Sequence, residues 1–249
     1  MARRLAVLSM LLVLAGCGGQ AGASQANGGV LTVFAASSLQ PAFDKIASQL
    51  DLNVGMTTGF NYLGTQTLTG QLQQGAAADV FASADTAHMT TLENAGLLSG
   101  PSKIFAHNRL EIAVQSGNPK GIHTLADLSR AGLVVVLADP SVPAGKYAQQ
   151  ALAKALVIVR PASLELQVTG VLTKVALGEA DAGIVYVSDI VTSGKVDGVI
   201  IPDDQNVIAD YPIAQLKTAS NKSGAQAFIA FVLSPDGQAI LKVAGLQGV

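Results

Sequence analysis

Short apolar runs alternate along the chain with segments whose apolar residues recur every three or four positions. Leu31-Thr32-Val33-Phe34 is a β-branched and aromatic run suited to a buried strand. Leu39, Phe43, Ile46 and Leu50 then share one helical face, and Pro41 sits in that helix's first turn, where its missing N–H costs nothing. Leu52 to Met56 reads as a second strand and Thr57 to Gly64 as a polar loop. Thr65 then starts a helix carrying Leu68 and Leu72 and ending at Gly75. Asp79 to Ala82 reads as a strand, and Asp85 as the cap of a helix through Met89 and Leu92 that Gly96 closes.

Further on, Asn108 to Gln115 alternates Leu110, Ile112 and Val114, which predicts a half-buried strand. A short helix over Leu125 to Arg130 precedes Leu133 to Leu137, an unbroken run typical of a central parallel strand. Pro143 suits a first helical position, with Tyr147, Ala151, Leu152, Ala155 and Leu156 as the buried face. Val168 opens another helix, with Val171, Val175 and Ala176 inward and Gly178 at its end, and Asp181 to Tyr186 follows as turn and strand. Tyr211 to Leu216 is a weaker strand candidate, because Pro212 belongs at a strand start or edge. The last helices run through Phe228 and Phe231, and again from Ser234-Pro235-Asp236. This alternation predicts an α/β architecture with mostly parallel sheets.

Composition narrows the picture. The 249 residues suffice for one large domain or two lobes, and 49% hydrophobic against 13% charged residues describes a compact globular chain. A formal charge of -2 offers no basic footprint for nucleic acid, so a small anionic ligand would have to be held by dipoles and hydrogen bonds.

The first residues read as an export signal: Arg3-Arg4, the apolar run Leu5 to Leu14, then Ala15-Gly16 before Cys17. That run is too short for an ordinary membrane span. Leu14-Ala15-Gly16-Cys17 resembles a bacterial lipobox, in which Cys17 is lipidated and becomes the mature N-terminus; the rival reading is a plain secretory signal with an incidental cysteine. Cys17 is the single cysteine, so there is no intramolecular disulfide, Cys-based zinc site or thiol enzyme. Residues 17–29, rich in Gly, Ala, Ser and Gln, read as a flexible tether, which leaves the protein exported and anchored to the outer face of a membrane.

The candidate chemistry lies at helix starts. Ser37-Ser38 sits where a strand turns into a helix, and the free amides and helix dipole there suit an anion; Thr65 is another hydroxyl residue at a helix start, and Pro143 leaves the amides of Ala144 and Gly145 unpaired at a third. Each is equally an ordinary helix start. Asp79 and Asp85 read as turn and cap residues rather than an acid–base pair. His88, His107 and His123 lie far apart, with no metal-ligand spacing. Ser37 and Ser38 lack a Gly-x-Ser-x-Gly elbow and an obvious histidine partner.

Four stretches, in order, carry a resemblance to the molybdate-binding proteins of bacterial ABC importers (ModA type). They are Val33-Phe34-Ala35-Ala36-Ser37-Ser38-Leu39, Gly75 to Asp85 (Gly-Ala-Ala-Ala-Asp-Val-Phe-Ala-Ser-Ala-Asp), Asp139-Pro140 with Val142-Pro143-Ala144-Gly145-Lys146-Tyr147-Ala148, and Gly183-Ile184-Val185-Tyr186 with Ser188-Asp189. The resemblance implies a bilobal, type II periplasmic-binding-protein fold: two α/β lobes joined by crossover strands, with the ligand in the cleft. The expected lobes are 30–110 with 211–249, and 111–210, after a signal peptide over 1–16 and the lipidated tether over 17–29. It implies molybdate or tungstate held by the hydroxyls and amides of Ser38 and Thr65, the amides of Ala144 and Val168, and the Tyr186 hydroxyl. No cofactor and no metal-cation ligand are expected, because molybdenum arrives as an oxyanion. The implied partners are an ABC permease and its ATPase, with the membrane reached through the lipid on Cys17, and the binding protein a monomer. Gly64-Thr65-Gln66-Thr67 departs from the family's serine-rich pattern, which leaves Thr67 as an alternative to Thr65, and the loop before Val142 is one residue shorter than in some members. A binding protein for sulfate or another tetrahedral oxyanion, a secreted serine hydrolase, and an exported sensor or adhesin remain the alternatives.

Overall fold

The structure, a computed structural model, describes residues 30–249; the signal segment, Cys17 and the tether lie outside the described residues. The chain runs β1 (Leu31–Ala36), α1 (Gln40–Val54), β2 (Thr58–Leu63), α2 (Thr65–Gln73), β3 (Val80–Ala82), α3 (Thr86–Asn94) and β4 (Lys103–Gln115). It continues through β5 (Val135–Ala138), α4 (Pro143–Lys154), β6 (Ser163–Glu165), α5 (Val168–Ala176), β7 (Ala182–Tyr186), α6 (Val187–Ser193) and β8 (Val196–Ile200). It ends with β9 (Ile208–Gln215), α7 (Lys222–Val232) and α8 (Pro235–Val243). The strands order as β2-β1-β3-β9-β4-β7-β5-β6, with β8 also paired to β4.

Parallel pairing joins β1 to β2 and β3, and β5 to β6 and β7. The two parallel sets are connected by antiparallel ladders of β4 and β9, so the sheet is mixed and not mostly parallel as the pattern predicts. β4 exchanges partners along its length. Through Arg109 it pairs with β9, and from Leu110 onward with β7 and β8.

The two-residue period of the strands explains the layering. Val33, Ala35, Val80 and Ala82 face the aromatic core of α1 and α7, while Phe34 and Phe81 face Leu68, Leu72, Met89 and Leu92 of α2 and α3. Phe43 centres the first layer, with ring centroids 5.3 Å from Phe228 and 5.7 Å from Phe105.

Several expectations fail for identifiable reasons. The strand expected over Leu52 to Met56 is the end of α1, which stops at left-handed Gly55, and the expected loop contains β2. There Phe60 and Tyr62 stack at 4.8 Å, aromatic packing that a Gly- and Asn-containing sequence obscures. Pro212 lies inside β9 between two neighbouring strands; the irregular register of β4 between Ile104 and Ala106 interrupts the ladder opposite it, where a missing N–H is tolerated. Leu156 is not buried: α4 ends at Lys154, and Leu156 turns outward with φ +55°, 92% exposed.

Phe43→Ala removes the hub of the aromatic layer and is expected to cost about 3–5 kcal/mol in chemical denaturation. A loss below about 1 kcal/mol would mean that the rings around it are not packed as described.

Candidate functional site

The starts of α2, α4 and α5, the short 3-10 turn at Ser37–Leu39 and the end of β7 converge on one small cavity. Ser38, Thr65, Ala144, Val168 and Tyr186 all line it, beside Ala36, Ser37, Leu63, Gly64, Ala84, Val142 and Pro143. No charged residue stands among this lining. Thr67, the alternative to Thr65, is exposed and outside it.

Each junction presents amides that its own helix cannot use. In α4 the first helical bond runs from the Lys146 N–H to the Val142 carbonyl at 2.9 Å, so the amides of Ala144 and Gly145 precede it. In α5 the first such bond is Gly170 N–H to Gln167 O at 3.0 Å, which leaves the Val168 amide ahead of it. In α2 both Thr67 and Leu68 bond to the Gly64 carbonyl, and the Thr65 amide lies before them. Gly145 is fixed by packing: a Cβ there would stand 2.1 Å from the Asp139 carbonyl oxygen.

The serine and threonine are not helix caps. No side-chain cap bond is made at the 3-10 turn, α1 or α2, which removes the ordinary explanation for Ser38 and Thr65. Instead the Ser38 hydroxyl meets the Tyr211 hydroxyl at 3.1 Å, and Thr65 Oγ1 accepts the Ala84 N–H at 3.2 Å. The Tyr186 hydroxyl is buried with no hydrogen-bond partner among the described residues. Burial, reinforced by Tyr211, Tyr147, Asp189 and Asp85, pushes its pKa well above the usual phenol range, so it stays protonated and able to donate. The cavity therefore offers neutral donors and a buried hydroxyl without an acceptor.

The family model for bacterial extracellular solute-binding proteins matches residues 31–247. The chain belongs to this family. It is an extracytoplasmic binding protein and not an enzyme. It is similar to the molybdate-binding protein ModA of Mycobacterium tuberculosis (strain ATCC 25618 / H37Rv), with 43% identity covering 96% of this chain and 95% of that one. The molybdate-binding protein ModA of Escherichia coli (strain K12) is 31% identical over 89% of this chain and 90% of its own. Among solved structures, the Azotobacter vinelandii periplasmic molybdate-binding protein superposes with a TM-score of 0.78 at 21% identity, covering 87% of this chain and 98% of that one, which supports the bilobal fold.

Residues with other readings fall elsewhere. Asp79 accepts the amides of Thr32 and Asn221, and Asp85 caps α3 by accepting the His88 N–H at 3.0 Å. His88 binds Asp85, His107 binds Asp210 at 2.7 Å, and His123 is exposed. No cluster of metal-binding side chains occurs among the described residues.

Sequence reasoning missed Tyr211, Asn108 and Asp189, which stand behind the lining. Asp189 was legible only as part of Ser188-Asp189 after the strand. Its carboxyl group is buried and accepts the Tyr186 N–H at 3.0 Å, holding the backbone of the residue that aims the free hydroxyl. Burial raises its pKa to about 7, and that hydrogen bond offsets only part of the rise. The folded protein then holds this proton more tightly than the unfolded chain, so stability falls as pH rises from about 4 to about 7 and levels off above. Asp189→Asn keeps the acceptor and removes the titration. In thermal melts from pH 5 to 8, wild type is expected to lose stability relative to Asp189→Asn up to pH 7; a flat difference would contradict this assignment.

Proposed function

We propose that this solute-binding protein captures molybdate, and tungstate with it, and delivers the oxyanion to an ABC permease and its ATPase. One observation carries the reading: the five residues that the family resemblance nominates, Ser38, Thr65, Ala144, Val168 and Tyr186, line one cavity in which the buried Tyr186 hydroxyl has no hydrogen-bond partner among the described residues. The molybdate-binding relatives support the choice of ligand. Hydrogen bonds to a charged partner contribute about 1.5–3 kcal/mol each, so this set reaches the ~8 kcal/mol of micromolar binding after ordering costs. Because the lining carries no carboxylate, a protonated oxyanion brings a hydrogen that meets no charged acceptor there, only hydroxyls better used as donors to the anion. Selection against sulfate then falls to cavity size.

We assign residues 30–110 with 211–249 to one lobe and 111–210 to the other, with Ser38 and Thr65 on the first and Ala144, Val168 and Tyr186 on the second. The exchange of β4 partners between Arg109 and Leu110 supports the first boundary. An anion bridging both lobes makes all its contacts only when they close, so it shifts the population toward the closed form that the permease engages. Gln66 of α2 donates to the Leu166 carbonyl at 2.9 Å across this divide. Lipid on Cys17 anchors the protein, as a monomer, at the outer face of the membrane.

Calorimetric titration of the ligand-stripped protein with molybdate, tungstate, sulfate and phosphate tests the assignment. One-to-one binding of molybdate and tungstate at least tenfold tighter than sulfate is expected; a preference for sulfate would overturn the ligand, and no binding would overturn the function. Closure has its own test. Gly64 has backbone angles open to any residue (φ -60°, ψ 137°), yet a Cβ there would stand 2.3 Å from the Leu166 carbonyl oxygen. Gly64→Ala is expected to weaken molybdate binding at least tenfold and to reduce ligand-induced compaction in X-ray scattering. Unchanged affinity and compaction would remove the closed contact from the mechanism.

A further inference from the structure

Behind Ser38 lies a buried chain of polar side chains that the binding set does not include. Asn108 on β4 is 1% exposed and Tyr211 on β9 is fully buried, although both are polar. The Asn108 side chain has one orientation, because its Oδ1 accepts the Arg109 N–H at 3.0 Å. Its Nδ2 therefore points the other way, donating to Ser188 Oγ at 2.8 Å and to the Tyr211 hydroxyl at 3.3 Å. An amide nitrogen only donates, so Asn108 gives the Tyr211 proton nowhere to go. Among the described residues the Ser38 hydroxyl oxygen, at 3.1 Å, is the acceptor within hydrogen-bond distance of that proton; the neighbouring Tyr186 hydroxyl makes no hydrogen bond at such a distance.

We propose that Asn108 and Tyr211 are positioning residues for anion capture: their hydrogen-bond chain, from Asn108 through Tyr211 to Ser38, turns the Ser38 hydroxyl proton into the cavity. The inference rests on the oxyanion reading of that cavity and adds a cause for its polarity. A serine hydroxyl is free to rotate and can donate or accept. Here one lone pair of its oxygen accepts from Tyr211, which keeps its hydrogen off Tyr211 and leaves it for a ligand. The reverse arrangement, with Ser38 donating to Tyr211, would strand the phenol proton in a buried site, which is costly. Burial also raises the Tyr211 pKa far above the neutral range, so the phenol keeps the proton that the chain requires. Thr65 follows the same logic by another route, because the Ala84 N–H takes one lone pair of its oxygen and leaves its hydrogen free to donate. The chain of bonds reaches further, since Asn108 lies where β4 changes partners and Ser188 lies in the first turn of α6.

Tyr211→Phe tests this, because the ring keeps its edge-on packing against Phe105 at 6.2 Å and Tyr186 at 5.7 Å. Without the phenol, Ser38 is free to accept a hydrogen from the ligand. Wild type and Tyr211→Phe would be titrated with tungstate, and with inorganic phosphate competing against bound tungstate, at pH 7.5. The variant is expected to bind tungstate about tenfold more weakly and to narrow the tungstate-to-phosphate affinity ratio by about tenfold or more. An equal loss for both anions, or phosphate still unable to compete, would reduce Tyr211 to a structural residue and overturn the proposal. Neutron diffraction from deuterated, ligand-free wild-type crystals reads the same direction without any variant or anion. Deuterium on the Tyr211 oxygen pointing at Ser38 is expected, and deuterium on Ser38 pointing at Tyr211 would overturn it. A wild type that binds no oxyanion but shows the expected neutron map would sink the oxyanion reading and leave the chain's direction standing.

Discussion

Moving an ionised oxyanion out of water is expensive unless every lone pair it exposes meets a donor. With no cation in the lining, the donors have to be dipoles already fixed in place before the ligand arrives. Helix starts meet that demand, because their first amides have no partner in their own helix and point along the dipole. Strand-to-helix connections in β1, β2, β5 and the segment after β6 place such starts around one point. Much of the architecture follows: alternating elements, buried strands with both faces covered, and short connections that set each helix start at its strand's end.

Backbone donors also explain the small side chains around the cavity. Ala36, Gly64, Ala84 and Ala144 let main chain approach main chain, and the limit is tight where Gly145 sits against the Asp139 carbonyl. Larger side chains would cover the amides at these helix starts. Polar side chains enter only where a hydroxyl can be steered, and each is steered from behind: Ser38 by Tyr211, Thr65 by the Ala84 amide, and Tyr186 by the backbone bond to Asp189. The outer layer of bonds sets the direction of the inner one.

The parts of this arrangement that are local in sequence were legible in it. Pro143 at a helix start, Gly75, Gly96 and Gly178 after helix ends, and the Leu133–Leu137 run each carry their meaning within a few residues. The family resemblance, not any side-chain signal, nominated Ala144 and Val168, since the role it implies for them is played by the backbone N–H alone. What stayed hidden depends on long-range pairing. β2 is held by its neighbour β1 and by stacked Phe60 and Tyr62, neither of which its own composition declares. Pro212 reads as a strand breaker until the irregular ladder on β4 is seen beside it. Tyr211 and Ser38 are 173 positions apart, and nothing around either announces the other.

The central claim is that neutral donors from both halves of the chain surround one oxyanion in this cavity. A crystal structure of the tungstate complex, with the metal located by anomalous scattering, tests it most directly. One tungsten site is expected, among Ser38, Thr65, Ala144, Val168 and Tyr186. The anion's oxygens should lie about 2.7–3.1 Å from their hydroxyls and amides, with no Lys or Arg in contact. Tungsten bound elsewhere, or held in the cavity by a cationic side chain, would contradict it.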